Sequence, residues 1–194
     1  IRGGGTSLGA SQSGHIAAVG YDMFLKLMEE TVAEMKGEPV PDDLDPEINV
    51  SLSAYIPEGY IPDIDQRLAV YRRLGRMSDM KEITDFRAEM TDRFGPPPTE
   101  AVNLLLKIML RVLSKKAGIK RLDLTGQDLQ LFLSETHQKD PGGIIDLIQS
   151  DPARWQITPE AVIKARLQQQ SMTGLLGETK NLLQEIARHV NPNA

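Results

Sequence analysis

The chain has 194 residues, 40% of them hydrophobic, and a formal net charge of −5. This length provides for one hydrophobic core and an appendage. The absence of Cys excludes disulfides and thiolate chemistry, and the absence of any run of 18 apolar residues or of a secretory signal predicts a soluble, cytoplasmic protein.

The first 14 residues form a glycine-rich segment that begins without Met. Five glycines give the backbone freedom but cannot supply a core, so we expect this segment to belong to a larger protein. Gly3-Gly4-Gly5 is a poor phosphate cradle, because it lacks the Lys-Ser/Thr of a P-loop and does not lie between an apolar strand and a helix. The alternative for the isolated chain is a cut end with no function.

A helix is predicted over residues 16–36, followed by a linker. The helix carries one apolar stripe and Gly37 ends it. Residues 38–47 contain three prolines and five acids with little to bury, which is typical of a linker.

From residue 48 onward, the pattern predicts a strand and then three helices. Ile48, Val50 and Leu52 alternate with polar residues, as in a half-buried strand. Asp63 begins the first helix, with Gln66 completing a capping box. The second and third helices are predicted over residues 79–94 and 98–117. The expected buried residues are Ile64, Leu68, Tyr71 and Leu74 in the first helix, Ile83, Phe86, Met90 and Phe94 in the second, and Val102, Leu105, Leu106, Met109, Leu110 and Leu113 in the third.

The remainder of the chain predicts two hairpins and two helices. Apolar residues flank the turn Thr125-Gly126-Gln127-Asp128, and a second pair of short strands surrounds Pro159-Glu160, with Trp155 as a core anchor. Helices are predicted near residues 142–150 and 173–190. The expected fold class is therefore α+β, a helical block packed on a small, mainly antiparallel sheet and preceded by a helix and linker.

One acidic flank on the second predicted helix is a candidate interaction surface. Glu82, Asp85, Glu89 and Asp92 repeat at steps of three, four and three, away from the apolar stripe. The flank fits either a plain solvated face or a polar contact with a partner. The three His residues are widely spaced and have no partners at metal-ligand spacing, so we expect no metal site.

Several motifs resemble known families of DNA translocases. Ile1-Arg2-Gly3, Leu8-Gly9 and Gln12-Ser13-Gly14 resemble the end of the translocation motif of RecG-like translocases. Gly20-Tyr21-Asp22, Tyr60-Ile61-Pro62-Asp63, Asp92-Arg93-Phe94-Gly95 and a closing helix resemble the C-terminal end of the bacterial transcription-repair coupling factor (Mfd) family. This resemblance covers nearly the whole chain, with modest departures such as Gly4 in place of the usual Ala.

The resemblance implies a function and site residues. The parent would be a double-stranded-DNA translocase that uses ATP and magnesium, acts on stalled RNA polymerase and recruits the damage-recognition protein UvrA. Its translocation motif would include Arg2, Gly3, Gln12 and Gly14. Glu89, Asp92 and Arg93 match the positions through which the C-terminal domain docks onto the N-terminal excision-repair-helicase-like module of the same protein, masking the recruitment surface. The implied regions are 1–20 for the end of the translocase motif, 21–47 for the helix and linker, and 48–194 for the regulatory domain.

The expected role is therefore regulatory interaction, without catalytic residues, cofactor or metal in this chain and without contact with a membrane. The alternative is a DNA-binding accessory module of a superfamily 2 helicase or translocase. Residues 1–60 hold 3 Lys or Arg and 10 Asp or Glu, and the remaining residues hold 19 and 17. Neither part forms the basic stripe that phosphate-dominated binding needs. A hydrolase is the weakest alternative, because no Ser/His/Asp arrangement is evident.

Overall fold

The structure is a computed structural model that describes residues 45–190. The predicted translocation-motif residues Arg2, Gly3, Gln12 and Gly14, and the predicted helix over residues 16–36, lie outside the described residues. Along the described residues the elements are β1 (Glu47–Val50), α1 (Ile64–Arg76), α2 (Met80–Phe94), α3 (Thr99–Lys116), β2 (Ile119–Thr125), β3 (Asp128–Leu133), α4 (Glu135–Lys139), α5 (Gly142–Ser150), β4 (Gln156–Ile157), β5 (Val162–Arg166) and α6 (Met172–Val190).

These elements divide between two compact units. Of the described residues, the first unit contains Ser53–Met77 and Thr84–Leu105, and the second contains residues 45–52, Ser78–Ile83 and residues 106–190. The first unit is therefore built from α1 and parts of α2 and α3, whereas the second holds all five strands described.

Three side-chain hydrogen bonds, one at a helix cap and two at tyrosine hydroxyls, organise the first unit. The Asp63 carboxylate accepts from the backbone N–H of Gln66 at 2.8 Å, which confirms the predicted start of α1. The backbone N–H of Ile56 donates to the buried Tyr71 hydroxyl at 2.7 Å. The Tyr60 hydroxyl donates to the carbonyl of Gly95 at 2.9 Å, where the chain leaves α2 with φ of +86°. The side chains thus fix the segments on either side of the helices.

The buried face of α1 differs in part from the predicted stripe. Val70 is buried with Tyr71 and Leu74, whereas Ile64 and Leu68 are half-buried. The stripe thus begins later in α1 than predicted. In α2, the predicted positions are buried except for its last residue, which is half-buried.

The buried face of α3 also differs from the prediction. Leu104 and Ile108 are almost fully buried, whereas Val102, Leu106 and Met109 are half-buried. The reason is that α3 is apolar around most of its circumference, so its residue spacing does not define a single inward face.

The second unit contains a five-stranded sheet in the order β1-β2-β3-β5-β4. β1 pairs parallel with β2 and the other neighbours are antiparallel, which confirms the mainly antiparallel α+β prediction. Both predicted hairpins form, and Gly126 adopts φ of +58° in the first turn. The strand predicted to reach Leu52 ends at Val50, and α4 was not predicted.

One face of the sheet lies in the core of the second unit. Trp155 is buried, as predicted, and α5, α6 and the second half of α3 supply the other apolar side chains. Strand residues in this core alternate with exposed or half-buried ones, as expected for a sheet covered on one side. Within residues 45–190, no helix is both long enough and apolar enough to cross a bilayer.

Candidate docking surface

A groove of about 330 Å³ lies between α1 and α2 in the first unit. Apolar side chains line its interior and charged or amide side chains surround them. The lining residues are Asp65, Gln66, Ala69, Val70, Arg73, Phe86, Glu89, Met90, Arg93 and Phe94. Apolar surface inside a polar rim is the usual anatomy of a protein interface.

Helical spacing explains why these side chains meet. On α2, Phe86 and Met90 are four residues apart and buried, and Glu89 and Arg93 repeat the same step beside them at the exposed edge. On α1, the side chain of Ala69 lies among longer side chains along the groove. Because it is small, it leaves space for the groove.

An ion pair joins the two helices at the rim of the groove. The Nη1 atom of Arg73 lies 2.7 Å from each carboxylate oxygen of Glu89. The Arg73 guanidinium also lies over the Phe86 ring, 4.4 Å from its centroid. The two charged side chains are 52% and 47% exposed, so water screens their attraction and the pair stabilises the fold by only about 0–1 kcal/mol.

The other two predicted docking residues differ in their surroundings. The Arg93 guanidinium lies 5.0 Å from the centroid of the Phe94 ring, which meets the Tyr60 ring edge-on at a centroid distance of 6.0 Å. Asp92 is exposed and is not part of the groove lining. Among residues 45–190, neither a hydrogen bond nor an ion pair holds its carboxylate. The structure thus brings Glu89 and Arg93 together at the groove and places Asp92 outside it.

Comparison with known proteins identifies the family. The TRCF domain family matches residues 50–144. The transcription-repair-coupling factor of Myxococcus xanthus is 34% identical over 195 residues, covering 100% of this chain and 16% of that protein. The Escherichia coli (strain K12) factor is 30% identical over 162 residues, covering 81% of this chain and 14% of that protein. The chain belongs to the transcription-repair-coupling factor family.

A solved structure gives the same result for the fold. The C-terminal domain of a transcription-repair coupling factor superimposes with a TM-score of 0.64 at 16% identity, over 76% of this chain and 94% of that chain. The chain spans about one sixth of the length of the Myxococcus xanthus relative. The recognised family and the α+β fold are therefore both confirmed, and Glu89, Asp92 and Arg93 lie inside the matched family segment.

The beginning of α2 in this coupling-factor domain has a local structural role. The Asp79 carboxylate accepts from the backbone N–H of Lys81 at 2.7 Å, and this bond, together with Lys116, holds the pKa of Asp79 below its usual value. Glu82 accepts from the backbone N–H of Ser78 at 3.1 Å. These acids cap the helix, so the predicted acidic flank is not one uniform surface.

The second unit has a polar groove of about 670 Å³ beside β3 and β5. Its cations include Arg154, Arg166 and Lys164. Arg154 lies 3.1 Å from Glu185, and Arg166 lies 3.2 Å from Asp128. These pairs neutralise two of the three cations, so this coupling-factor domain offers mixed charge here in place of a phosphate-binding stripe.

The histidines that the structure describes have structural contacts. The Nε2 atom of buried His137 donates to the carbonyl of Ala117 at 2.7 Å. His189 lies on α6 with Nδ1 at 3.0 Å from the carbonyl of Glu185. No group of three or more His, Cys, Asp and Glu side chains within residues 45–190 is arranged to hold a metal ion.

Proposed function

We propose that this chain is the regulatory C-terminal domain of a coupling factor and that it docks onto the N-terminal excision-repair-helicase-like module of the same protein. Glu89, Asp92 and Arg93 make the polar contacts in this proposal. Docking masks the surface that recruits UvrA. The parent, in the same proposal, is an ATP- and magnesium-dependent double-stranded-DNA translocase that acts on stalled RNA polymerase in the cytoplasm.

The observation that carries this proposal is the groove between α1 and α2, with Glu89 and Arg93 at the rim of its apolar interior. A regulatory contact has to form and dissociate. Charges at a rim set register and association rate more than raw affinity, and a groove of this size offers only a limited apolar anchor. These properties fit a reversible intramolecular contact better than a permanent interface.

We also propose that the chain is not an enzyme and needs no cofactor of its own. The sequence contains no P-loop motif with its phosphate-binding Lys. Purified chain should therefore show no ATP hydrolysis, with or without duplex DNA. DNA-stimulated release of phosphate would contradict this assignment.

A DNA-binding accessory module is the second candidate, and the polar groove beside β3 and β5 is its best site. Lys164 is the one cation there without an ion pair among the described residues. Binding through many phosphate contacts falls steeply as salt rises. We expect weak binding of duplex DNA with a shallow salt dependence, and a steep dependence at submicromolar affinity would favour this alternative.

Binding of the chain to the N-terminal module, measured in trans by calorimetry, tests the docking proposal. The Glu89→Ala/Asp92→Ala variant should bind much more weakly, because truncating one member of a desolvated interfacial charge pair costs roughly 2–5 kcal/mol. A matched control is Asp140→Ala/Asp146→Ala, which makes the same change in net charge at two exposed acids of the second unit. Equal affinities for the two variants would refute the assigned surface.

A further inference from the structure

The ion pair between Arg73 and Glu89 engages the carboxylate that the docking surface offers to a partner. The Nη1 atom of Arg73 is 2.7 Å from both oxygens of that carboxylate. A cation from a docking partner therefore meets an acid that is already bound.

Two contacts hold the Arg73 guanidinium in this position. Its Cζ atom lies over the Phe86 ring, 4.4 Å from the ring centroid, and its Nη1 atom donates a hydrogen bond to the Glu89 carboxylate. A planar guanidinium can stack on a ring and donate to a carboxylate at the same time. Arg73 and Glu89 are 16 residues apart, on α1 and α2, so the pair spans the rim of the groove.

We propose that Arg73 competes with the partner module for the Glu89 carboxylate and so weakens docking. This inference rests on the function proposed above. A cation of the partner module has to displace the Arg73 guanidinium from Glu89 before it can bind that carboxylate. Displacement also uncovers the face of the Phe86 ring inside the groove. Arg73 therefore lowers the affinity of the docked state.

The exposure of the pair gives the size of the effect. Both side chains are about half exposed, at 52% and 47%. Exposed pairs of this kind change an equilibrium by no more than about fivefold. This range suits a competitor, because a stronger pair would prevent docking and a weaker one would not affect it. Asp92 has no such competitor among residues 45–190, so it can bind a partner without prior exchange.

The test is calorimetric titration of the 194-residue chain with the N-terminal module at low salt. Arg73→Gln should bind about two- to fivefold more tightly than the unmodified chain. Arg72→Gln is the matched control: it removes the same charge from the adjacent exposed position, which does not line the groove, and should give a smaller gain. In a Glu89→Gln background, Arg73→Gln should give no more gain than Arg72→Gln.

The outcomes separate this inference from the function on which it rests. Unchanged docking in both Glu89→Gln and Asp92→Asn refutes the docking function itself. A second outcome is weaker docking in Glu89→Gln while Arg73→Gln either lowers the affinity or changes it as much as Arg72→Gln does. This outcome overturns the competition but leaves the docking function intact, and it makes Arg73 a positioning residue for the carboxylate. Arg73→Lys provides a second variant that keeps the charge. It should give a gain smaller than that of Arg73→Gln, and weaker docking than the unmodified chain would also overturn competition.

Discussion

The hydroxyl of Tyr71 is the most informative single group for testing the first unit. It accepts the backbone N–H of Ile56 at 2.7 Å, and both residues are buried, with Tyr71 only 1% exposed. Tyr71→Phe removes the hydroxyl and keeps the ring, so it leaves the donor unsatisfied without opening a large cavity. An unsatisfied buried donor costs about 1–3 kcal/mol, and each kcal/mol lowers Tm by about 2–4 °C in a chain of this size.

Denaturant unfolding and calorimetry of Tyr71→Phe measure this cost. Tyr55→Phe is the control, because Tyr55 is 40% exposed and its loss should change the free energy of unfolding by no more than about 0.5 kcal/mol. Equal stabilities for the two variants would refute the assigned hydrogen bond.

The stabilisation by the Tyr71 hydroxyl should also depend on pH, and the direction of this dependence is defined. Burial raises the pKa of the Tyr71 hydroxyl above its ordinary value of 10.0. The unfolded state therefore loses this proton first as pH rises, so the stabilisation is complete below about pH 10 and decreases above it. The difference in free energy of unfolding between the unmodified chain and Tyr71→Phe should thus shrink from pH 9 to pH 11. A constant difference would contradict a raised pKa of the Tyr71 hydroxyl in the folded state.

Two further pairs of variants test the packing. Leu104→Ala should cost about 2–5 kcal/mol because Leu104 is fully buried, whereas Leu106→Ala should cost less because that side chain is half-buried; the reverse order in denaturant unfolding would show that the inward face of α3 is assigned wrongly. Gly118 has φ of +66° and a Cβ there would clash with His137, so Gly118→Ala should lower Tm strongly. Gly177→Ala should raise it, because that position on α6 is open and Ala favours a helix by about 1 kcal/mol; similar effects at the two glycines would contradict the placement of His137.

Local signals in the sequence predicted most of the elements. Asp63 caps α1, Gly95 ends α2, and Gly126 forms the turn of the first hairpin, because each of these features depends on a few neighbouring residues. The α+β class followed from the change in apolar period. The pairing of β1 with β2 did not, because it joins strands about 70 residues apart and no local pattern encodes it.

The candidate docking surface could be predicted only in part. The spacing on α2 placed Glu89 and Asp92 on an exposed flank, and the family resemblance added Arg93. The contact between Arg73 and Glu89 was not predicted, because it joins two helices and depends on how they pack. The available signal was the run of basic residues near the end of α1, which a single sequence does not connect to a particular acid.

Recruitment of UvrA by the intact parent is the decisive test of the proposed docking. Glu89→Ala/Asp92→Ala in the parent should leave the fold nearly unchanged, because exposed charges usually alter stability by no more than about 0.5 kcal/mol. This variant should release the domain, expose the recruitment surface and bind UvrA more tightly than the unmodified parent, whereas the affinity of the Asp140→Ala/Asp146→Ala parent should not change. Unaltered affinity for UvrA in a normally folded Glu89→Ala/Asp92→Ala parent would contradict the docking proposal and leave these acids as a solvated helix face.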